Sequence, residues 1–401
     1  MSGAAGSPSV VLAGGGTAGH TSPLIAAAQQ VLELAPEARV TAVGTARGLE
    51  TTVVPAAGLT LELIPPVPLP RKPSKDLLLV PSRLGRAVGD AGRLLDRVGA
   101  DVVVGFGGYV STPVYLAARR RKLPIVIHEQ NALPGLANRL AARFTDHVFT
   151  SFPGTPLPHA TCIGLPLRAG ITDLDRSAER RAARERFGLP PSSDSAVDAA
   201  TAKSVSGGPD TAQGQVLLVS GGSQGAASLN RAVIGSIETL LQAGISVLHA
   251  VGPKNLTDDL VTLTDSDTGA VYRPLAYIEE MDLAYAAADL MLGRCGASTV
   301  LETAAVGLPA VFVPYPHGNG EQARNAAGVV AAGGGVLLAD ADCTADWVQA
   351  EIPTLIRPDV LIRMTRALAG VGHRDAATVL ARETLVLAGW KGGEAGEGRT
   401  V

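Results

Sequence analysis

Val10-Val11-Leu12-Ala13-Gly14-Gly15-Gly16-Thr17-Ala18-Gly19-His20 runs an apolar, β-branched segment straight into a glycine turn. Helical periodicity follows with Pro23 in its first turn, so the stretch reads strand, turn, helix. Gly14, Gly16 and Gly19 then take the three glycine places of the G-x-G-x-x-G pattern. Glycine lets backbone come close to a ligand, and the helix start offers unpaired N–H groups and a positive dipole end. The same turn also serves plain strand–helix packing. A nicotinamide dinucleotide site calls for a carboxylate at the end of the second strand, to hold ribose hydroxyls. That strand ends Val43-Gly44-Thr45, which disfavours the dinucleotide.

The same grammar continues outward. The patterns predict strands over 9–13, 39–43, 60–64, 101–105, 125–128 and 147–150, with helices over 23–34, 49–56, 76–98, 112–121 and 135–142. Alternation at this spacing makes a parallel, doubly wound sheet. Residues 192–214 are rich in Ser, Ala, Asp and Gly and read as a flexible insertion. Strands then resume at 216–220, 245–251, 271–275, 290–293, 309–314 and 335–338, with helices starting at Ser228, Thr299 and Glu321. The chain thus divides into an α/β domain over 1–166 and a second over 167–371, with a helix over about 372–389 and a tail over 390–401. Glycine loops recur at Gly105-Phe106-Gly107-Gly108-Tyr109, Ser220-Gly221-Gly222-Ser223-Gln224-Gly225 and Arg294-Cys295-Gly296-Ala297-Ser298. All four follow strands, at the sheet edge where open α/β folds bind ligands, and their presence in both halves suggests a cleft. No GxxxxGK[ST] occurs, which argues against a P-loop nucleotidase.

Bulk composition agrees. With 401 residues the chain exceeds one ordinary core, and 46% apolar residues supply ample burial. Aromatics are 3%, so Ala, Val and Leu carry the packing. A net charge of −3 gives no global pull on nucleic acid, so no nucleic-acid partner is expected. Cys162, Cys295 and Cys343 are scattered, which fits a reducing compartment without disulfide or zinc site. The N-terminus lacks a signal-peptide pattern, and no apolar run approaches the roughly 20 residues of a membrane span. A cytosolic protein, bound at most to a membrane surface, is expected.

GGGTAGH, VGFGGYVS, HEQNALPGLANR, GLPLR, SGGSQGAASLN, GASTVLE and HGNGEQARNA occur in the order seen in the MurG family, which the chain resembles from about Val10 to Ala332. The resemblance implies a GT-B fold: two Rossmann-like, doubly wound parallel-sheet domains facing a cleft, the last helix returning to the first domain. It implies inverting, metal-independent transfer of GlcNAc from UDP-GlcNAc to the C4 hydroxyl of MurNAc in lipid I, at the cytoplasmic face of the plasma membrane. No cofactor is expected. Carried over by position, Thr17, Ala18 and Gly19 lie beside the donor's sugar and diphosphate, and Asn131 and Gln322 meet GlcNAc hydroxyls. Arg168 and Ser223 meet the diphosphate region, the Ile278 backbone meets uracil, and the segment Ala297, Ser298, Thr299, Val300, Leu301, Glu302 ends on a carboxylate for the ribose. The chain departs from the family's commonest pattern at Ala18, Leu165, Cys295 and Glu321. A related enzyme with another nucleotide sugar or acceptor, and a non-catalytic UDP-sugar or lipid I binding paralogue, are the alternative readings.

Each singled-out residue has a plainer role to set beside this. His20 suits a base that takes the acceptor's proton, against a histidine that only hydrogen-bonds the loop. Glu129 is the second candidate base, evenly matched with a loop brace. Glu302 could instead close a capping box with Thr299. Asp173-Leu174-Asp175 and Asp265-Ser266-Asp267 imitate a metal-binding DxD but read as solvated loops. Basic residues Arg71, Lys72, Lys75, Arg83, Arg86 and Arg93 flank the leucines 77–79, as a helix docking on anionic lipid or burying its leucines in the core. Trp347 and Trp390 read as packing residues.

Overall fold

The computed structural model describes residues 7–16, 18–46, 48–67, 76–191, 214–222, 225–317 and 319–391, without the side chains of Ala18 and 76–79. The chain forms two compact units, 1–168 with 374–401, and 169–373.

The first unit runs β1 Ser9–Ala13, α1 Ala18–Leu34, β2 Arg39–Gly44, α2 Glu50–Ala56, β3 Thr60–Leu63, α3 Asp76–Val98, β4 Val102–Gly105, α4 Ser111–Arg121, β5 Ile125–Glu129, α5 Leu136–Ala141, β6 Val148–Thr150 and β7 Ala160–Cys162. Its sheet has the order β3-β2-β1-β4-β5-β6-β7 and is parallel throughout. Alternation along β1 feeds two cores. Val10 and Leu12 pack with Leu24, Ala28 and Val31 of α1. Val11 and Ala13 pack with Val88, Leu94 and Leu95 of α3 and with Val114 of α4. Helix α3 therefore buries its described apolar face, while Arg83 and Arg86 are exposed and Arg93 pairs with Asp90. The rest of the basic and leucine segment, residues 71–79, lies outside the described residues or side chains.

The second unit runs α6 Ala169–Thr172, α7 Arg176–Arg186, β8 Val216–Ser220, α8 Ala227–Ile234, α9 Ile237–Gln242, β9 Ser246–Ala250, β10 Leu263–Thr264, β11 Val271–Leu275, α10 Met281–Ala287, β12 Leu290–Gly293, α11 Ala297–Val306, β13 Ala310–Phe312, α12 Glu321–Ala332, β14 Gly335–Leu337, α13 Ala345–Leu355 and α14 Pro358–Leu368. Its order is β10-β11-β9-β8-β12-β13-β14, with only the edge strand β10 antiparallel. The last helix, α15 Ala376–Leu387, belongs to the first unit, where Leu380, Ala381 and Leu385 join the α1 core. Trp390 packs on that same core and donates to Glu37 at 3.0 Å, and Trp347 packs on the core of the second unit.

Several expectations need correction. Helix α1 begins at Ala18, so Pro23 is its sixth residue and the Gly19 carbonyl loses its i+4 donor. The strands β7 and β10 and the helices α6, α7, α10, α13 and α14 are additions to the elements that the sequence patterns predict. Asp175 is the N-cap of α7, accepting from the N–H groups of Ser177 and Ala178 at 3.0 and 3.1 Å. Asp265 holds the β10–β11 turn through the Thr268 N–H at 2.8 Å. Most of the 192–214 insertion lies outside the described residues.

Helix α7, RSAERRAARER, is highly charged, yet Arg180 and Arg184 are 3% and 1% exposed. Both pair with Asp289, which immediately precedes β12 and is itself 1% exposed. Asp289 also accepts the Val216 N–H at 2.8 Å, and Arg184 donates to the carbonyls of Ala287 and Gly214. The network fastens α7 beneath the sheet. Removing one partner of a buried charge group strands the rest, at a cost of about 3–5 kcal/mol. Asp289→Ala is therefore expected to lower the unfolding free energy of the second unit by that amount in urea melts, whereas Arg181→Ala, on the exposed side of α7, leaves the midpoint within roughly 0.5 kcal/mol of wild type.

Candidate active site

The strand order reverses between β1 and β4 in one sheet and between β8 and β12 in the other. These are the switch points of doubly wound sheets, where two neighbouring strands send their chains to opposite faces and leave a crevice. The four glycine loops follow these four strands.

In the first unit the loops touch. A Cβ on Gly108, which has φ +80°, would stand 2.9 Å from the Gly15 carbonyl oxygen, and one on Gly14 would stand 3.0 Å from Phe106 Cβ. Side chains at either place would push the loops apart. The Gly16 amide does not face outward: it donates to Glu50 Oε2 at 2.9 Å. Glu50 also accepts from Thr45 N–H at 2.8 Å and Thr45 Oγ1 at 3.1 Å. A carboxylate thus does arrive beside the second strand, from α2, and is turned inward to the loops. Burial pushes its pKa up, but the amides of Gly16 and Thr45 outweigh this and hold it below the ordinary range.

His20 stands in the first turn of α1, partly buried. Burial lowers its pKa, while the charge of Glu50 acts in the opposite direction. The positive end of the α1 dipole adds to the preference for neutral imidazole. A neutral histidine at the sheet's loop edge is equipped to accept a proton. Gly19 is beside it; the placement of Thr17 and the side chain of Ala18 lie outside the described residues.

The HEQN segment closes the other side of this edge. Glu129 ends β5 at 3% exposure. Its carboxylate accepts from the N–H groups of Asn131 and Gly135, each at 3.0 Å, and from Asn138 Nδ2 at 2.9 Å. Asn138 is held in turn by the Tyr115 hydroxyl, which donates to its Oδ1 at 2.7 Å. So wrapped, Glu129 braces the loop that carries Asn131, and the geometry does not support it as a base. His128 is fully buried, donating from Nε2 to the Gly164 carbonyl at 2.9 Å, with Gln130 Nε2 3.2 Å from Nδ1. It thereby ties β5 to the GLPLR segment, where Leu165 is packed at 2% exposure and Arg168 is exposed.

In the second unit, Gly293 ends β12 where a Cβ would stand 2.8 Å from the Ser220 carbonyl oxygen at the end of β8. Gly225, with φ +72°, passes over Val251 in the loop that follows β8. Ser223, predicted in that loop, lies outside the described residues. Helix α11 starts with Gly296 as N-cap and no side-chain cap. The N–H groups of Ala297, Ser298 and Thr299 thus sit in its first turn, where no intrahelical acceptor reaches them. Thr299 being the third helical residue, it is not an N-cap, and the capping box with Glu302 does not form. Glu302 instead accepts from the Tyr285 hydroxyl at 2.8 Å. Val300 and Leu301 are 0% and 5% exposed, and the Val300 N–H is bonded to the Gly296 carbonyl. These two seat the helix in the core and do not offer side chains to a ligand. Ile278, ahead of α10, is 5% exposed.

Arg294 joins the loops of this edge. It donates to the carbonyls of Val313 and Pro314 at 3.2 and 3.0 Å and to Ser228 Oγ at 3.0 Å, and pairs with Asp340 at 2.5 Å. Gln322, at the start of α12, accepts from the Tyr315 N–H at 2.9 Å. Glu50, Tyr285 and Arg294 carry no sequence signal of their own, because their roles depend on partners brought in from elsewhere in the fold. The departures Cys295 and Glu321 are explained locally. Cys295 is 0% exposed, and Glu321 puts negative charge on the first turn of α12. Among the described residues no group of three His, Cys, Asp or Glu is arranged to hold a metal ion.

Burial pushes the His128 pKa down to about 4 from 6.5. Between these values the unfolded chain takes up a proton that the folded chain refuses, so this contribution to stability is full above pH 6.5 and declines as pH falls towards 4. His128→Gln is expected to melt with a shallower pH dependence across that window, read as unfolding midpoint against pH.

The glycosyltransferase family 28 N-terminal domain matches residues 10–150, and the family's C-terminal domain matches 216–380. Curated relatives named UDP-N-acetylglucosamine--N-acetylmuramyl-(pentapeptide) pyrophosphoryl-undecaprenol N-acetylglucosamine transferase include one from Cutibacterium acnes, 53% identical over 93% of this chain and 95% of its own. Another, from Mycobacterium ulcerans, is 52% identical over 95% and 92%. The crystal structure of Acinetobacter baumannii MurG matches with a TM-score of 0.73 at 25% identity, over 94% of this chain and 99% of that one. A UDP-glucosyltransferase from Polygonum tinctorium, at 15% identity and TM-score 0.63, shares the fold. Both sheets, the order of motifs and these likenesses agree: the chain belongs to glycosyltransferase family 28, in its MurG branch.

Proposed function

We propose that this protein transfers GlcNAc from UDP-GlcNAc to the C4 hydroxyl of MurNAc in lipid I, with inversion, forming lipid II for peptidoglycan synthesis. The observation that carries the assignment of roles is the contrast between the two glycine edges. On the first unit the turn amide of Gly16 is occupied by Glu50, and the group offered is a neutral histidine. On the second unit an uncapped helix start and a carboxylate stand on the same helix.

On this reading the second unit holds the donor. The α11 amides of Ala297, Ser298 and Thr299 meet the diphosphate, helped by Ser223 and Arg168, because a helix start favours negative charge. Glu302, oriented by Tyr285, accepts from the two vicinal ribose hydroxyls, and the Ile278 backbone meets the uracil. Gln322 and Asn131 bind GlcNAc hydroxyls. The first unit serves the acceptor: His20 takes the proton of the attacking hydroxyl as the anomeric carbon–UDP bond breaks, with Thr17, Ala18 and Gly19 beside the reacting sugar. Donor charge grows on the leaving diphosphate, where the helix amides and Arg168 stabilise it. The reading requires no cofactor.

The acceptor's lipid chain calls for a reaction at a membrane surface, which this reading takes as the cytoplasmic face of the plasma membrane, with the protein bound peripherally to an anionic surface. Among the described residues no helix is long and apolar enough to cross a membrane. Arg83 and Arg86, exposed on α3, support such docking.

Release of UDP from UDP-GlcNAc in the presence of lipid I tests the reading. His20→Ala is expected to lower kcat by about 10²–10⁴-fold with little change in the KM for UDP-GlcNAc. Glu302→Ala is expected to raise that KM by roughly 10–100-fold, from loss of charge-assisted hydrogen bonds, and Tyr285→Phe to raise it by a smaller factor. A wild-type chain that binds UDP-GlcNAc but releases no UDP with lipid I would overturn the enzyme reading in favour of a binding paralogue. A clear preference for another nucleotide sugar would overturn the substrate.

A further inference from the structure

Glu50 is buried at 0% exposure in a chamber walled by three glycines. A Cβ on Gly15 would stand 2.5 Å from its Oε1, and Cβ atoms on Gly44 and Gly48 would overlap its side chain outright. Gly15 lies in the turn after β1, Gly44 ends β2 and Gly48 lies in the turn after it, so the chain has made room for a carboxylate where the two turns meet. Its acceptors are matched by the Gly16 N–H, the Thr45 N–H and the Thr45 hydroxyl. Burying a charge costs several kcal/mol unless such donors offset it. A fold that needed only to fill this space would do so with an apolar side chain.

The position matters because α1 starts directly after this turn. Gly16 is the last described residue before α1, and His20 stands in that helix's first turn. We propose that Glu50 is a positioning residue for the transfer reaction: by tying Gly16 to Thr45 it fixes where α1 begins and holds its carboxylate within reach of His20's field, so that the imidazole is presented as an effective base. The proposal rests on the assignment of His20 as the base. A general base works best when its basicity is not drained away by burial, and Glu50 counters the burial of His20. Few other charges compete for that role among the described residues packed on α1. Arg39 stands at the start of β2, at the edge of the sheet away from the loops, and Glu33 lies in the last turn of α1. On α15, Arg382 is exposed and Glu383 is held by His147 at 2.8 Å. The strand β1 carries none, and the turn after β4 carries Tyr109.

The experiment measures UDP release from UDP-GlcNAc and lipid I by the full chain between about pH 5.5 and 9, for wild type, Glu50→Gln, Glu50→Asp and His20→Asn. Glu50→Gln keeps the shape, removes the charge and turns an amide NH2 toward backbone donors. It is expected to lose about tenfold or more in kcat, with KM for UDP-GlcNAc within about twofold of wild type. Losing the negative charge lowers the pKa of His20, so the acid limb of kcat/KM is expected to move to lower pH. Glu50→Asp keeps the charge but shortens the reach, so kcat falls while the acid limb stays closer to wild type. A folded Glu50→Gln protein with wild-type kcat and acid limb overturns the proposal. So does one whose kcat falls with the acid limb unmoved and KM raised in step, the mark of a merely structural residue. If circular dichroism finds Glu50→Gln unfolded, Glu50→Asp decides: wild-type turnover overturns the proposal, and a lowered kcat at unchanged KM supports it. Wild-type turnover by His20→Asn would instead sink the base assignment; an inactive His20→Asn beside an unimpaired Glu50→Gln sinks the role of Glu50 alone.

Discussion

Two parallel strands that end side by side must send their chains past each other, and in both units this happens with no room for a side chain. Gly108 lies against the carbonyl of Gly15 in one sheet, and Gly293 against the carbonyl of Ser220 in the other. From this close approach the rest of each site follows. A Cβ at either contact would part the switch-point strands' loops, and with them the start of α1 or of α11. The glycine content of these loops is therefore a packing requirement first. Ligand binding is built on the geometry that the requirement leaves.

The groups around those contacts are polar and nearly always paired. Glu50, Glu129 and Asp340 are carboxylates whose oxygens take backbone amides, hydroxyls or guanidinium groups. Glu50 joins the turn after β1 to the turn after β2, Asp340 joins α8 to the loop after β12, and Glu129 braces its own loop. This gives a physical criterion for sorting acids at a site rich in them. A carboxylate wrapped by three donors, as Glu129 is, has its lone pairs aimed into the protein and serves to shape a loop. Glu302 differs: it projects from a helix, partly exposed, with a tyrosine hydroxyl steering it. Position at a strand end does not separate the two roles; hydrogen-bond geometry does.

Much of the architecture was legible in the chain because buried parallel strands are short, apolar and β-branched. Four strands, β1, β8, β11 and β12, and the helix α3 have the bounds that the patterns imply. The shortfalls have separate causes. Helix α1 starts ahead of Pro23 because the tight glycine turn launches it early, overriding proline's preference for a first turn. Helix α7 hides its core role because buried arginines look like surface ones until Asp289 is brought beneath them from over 100 residues away. The T-x-x-E pattern at Thr299 gave a false cap because Gly296 had already begun the helix. The end of β2 carries no ribose-binding acid, which argues against a dinucleotide but gives no hint of Glu50. That residue reaches the same place from α2, and only the chamber of Gly15, Gly44 and Gly48 reveals it.

The same chamber bears on how a diphosphate is handled. A glycine-rich turn ahead of a helix is the usual expectation for a phosphate cradle, since its amides converge on the ligand. In the turn after β1 one of those amides is closed off by an ionised carboxylate, and a phosphate drawn close would meet negative charge behind the loop. The start of α11 has neither drawback: its cap is a glycine without a side chain, and the positive end of the helix dipole faces the loop. Two loops of similar composition are thus suited to opposite tasks. One favours a neutral base facing a sugar hydroxyl, the other an anion. On the proposed reading, this difference is what keeps proton abstraction and diphosphate departure on separate units of the chain.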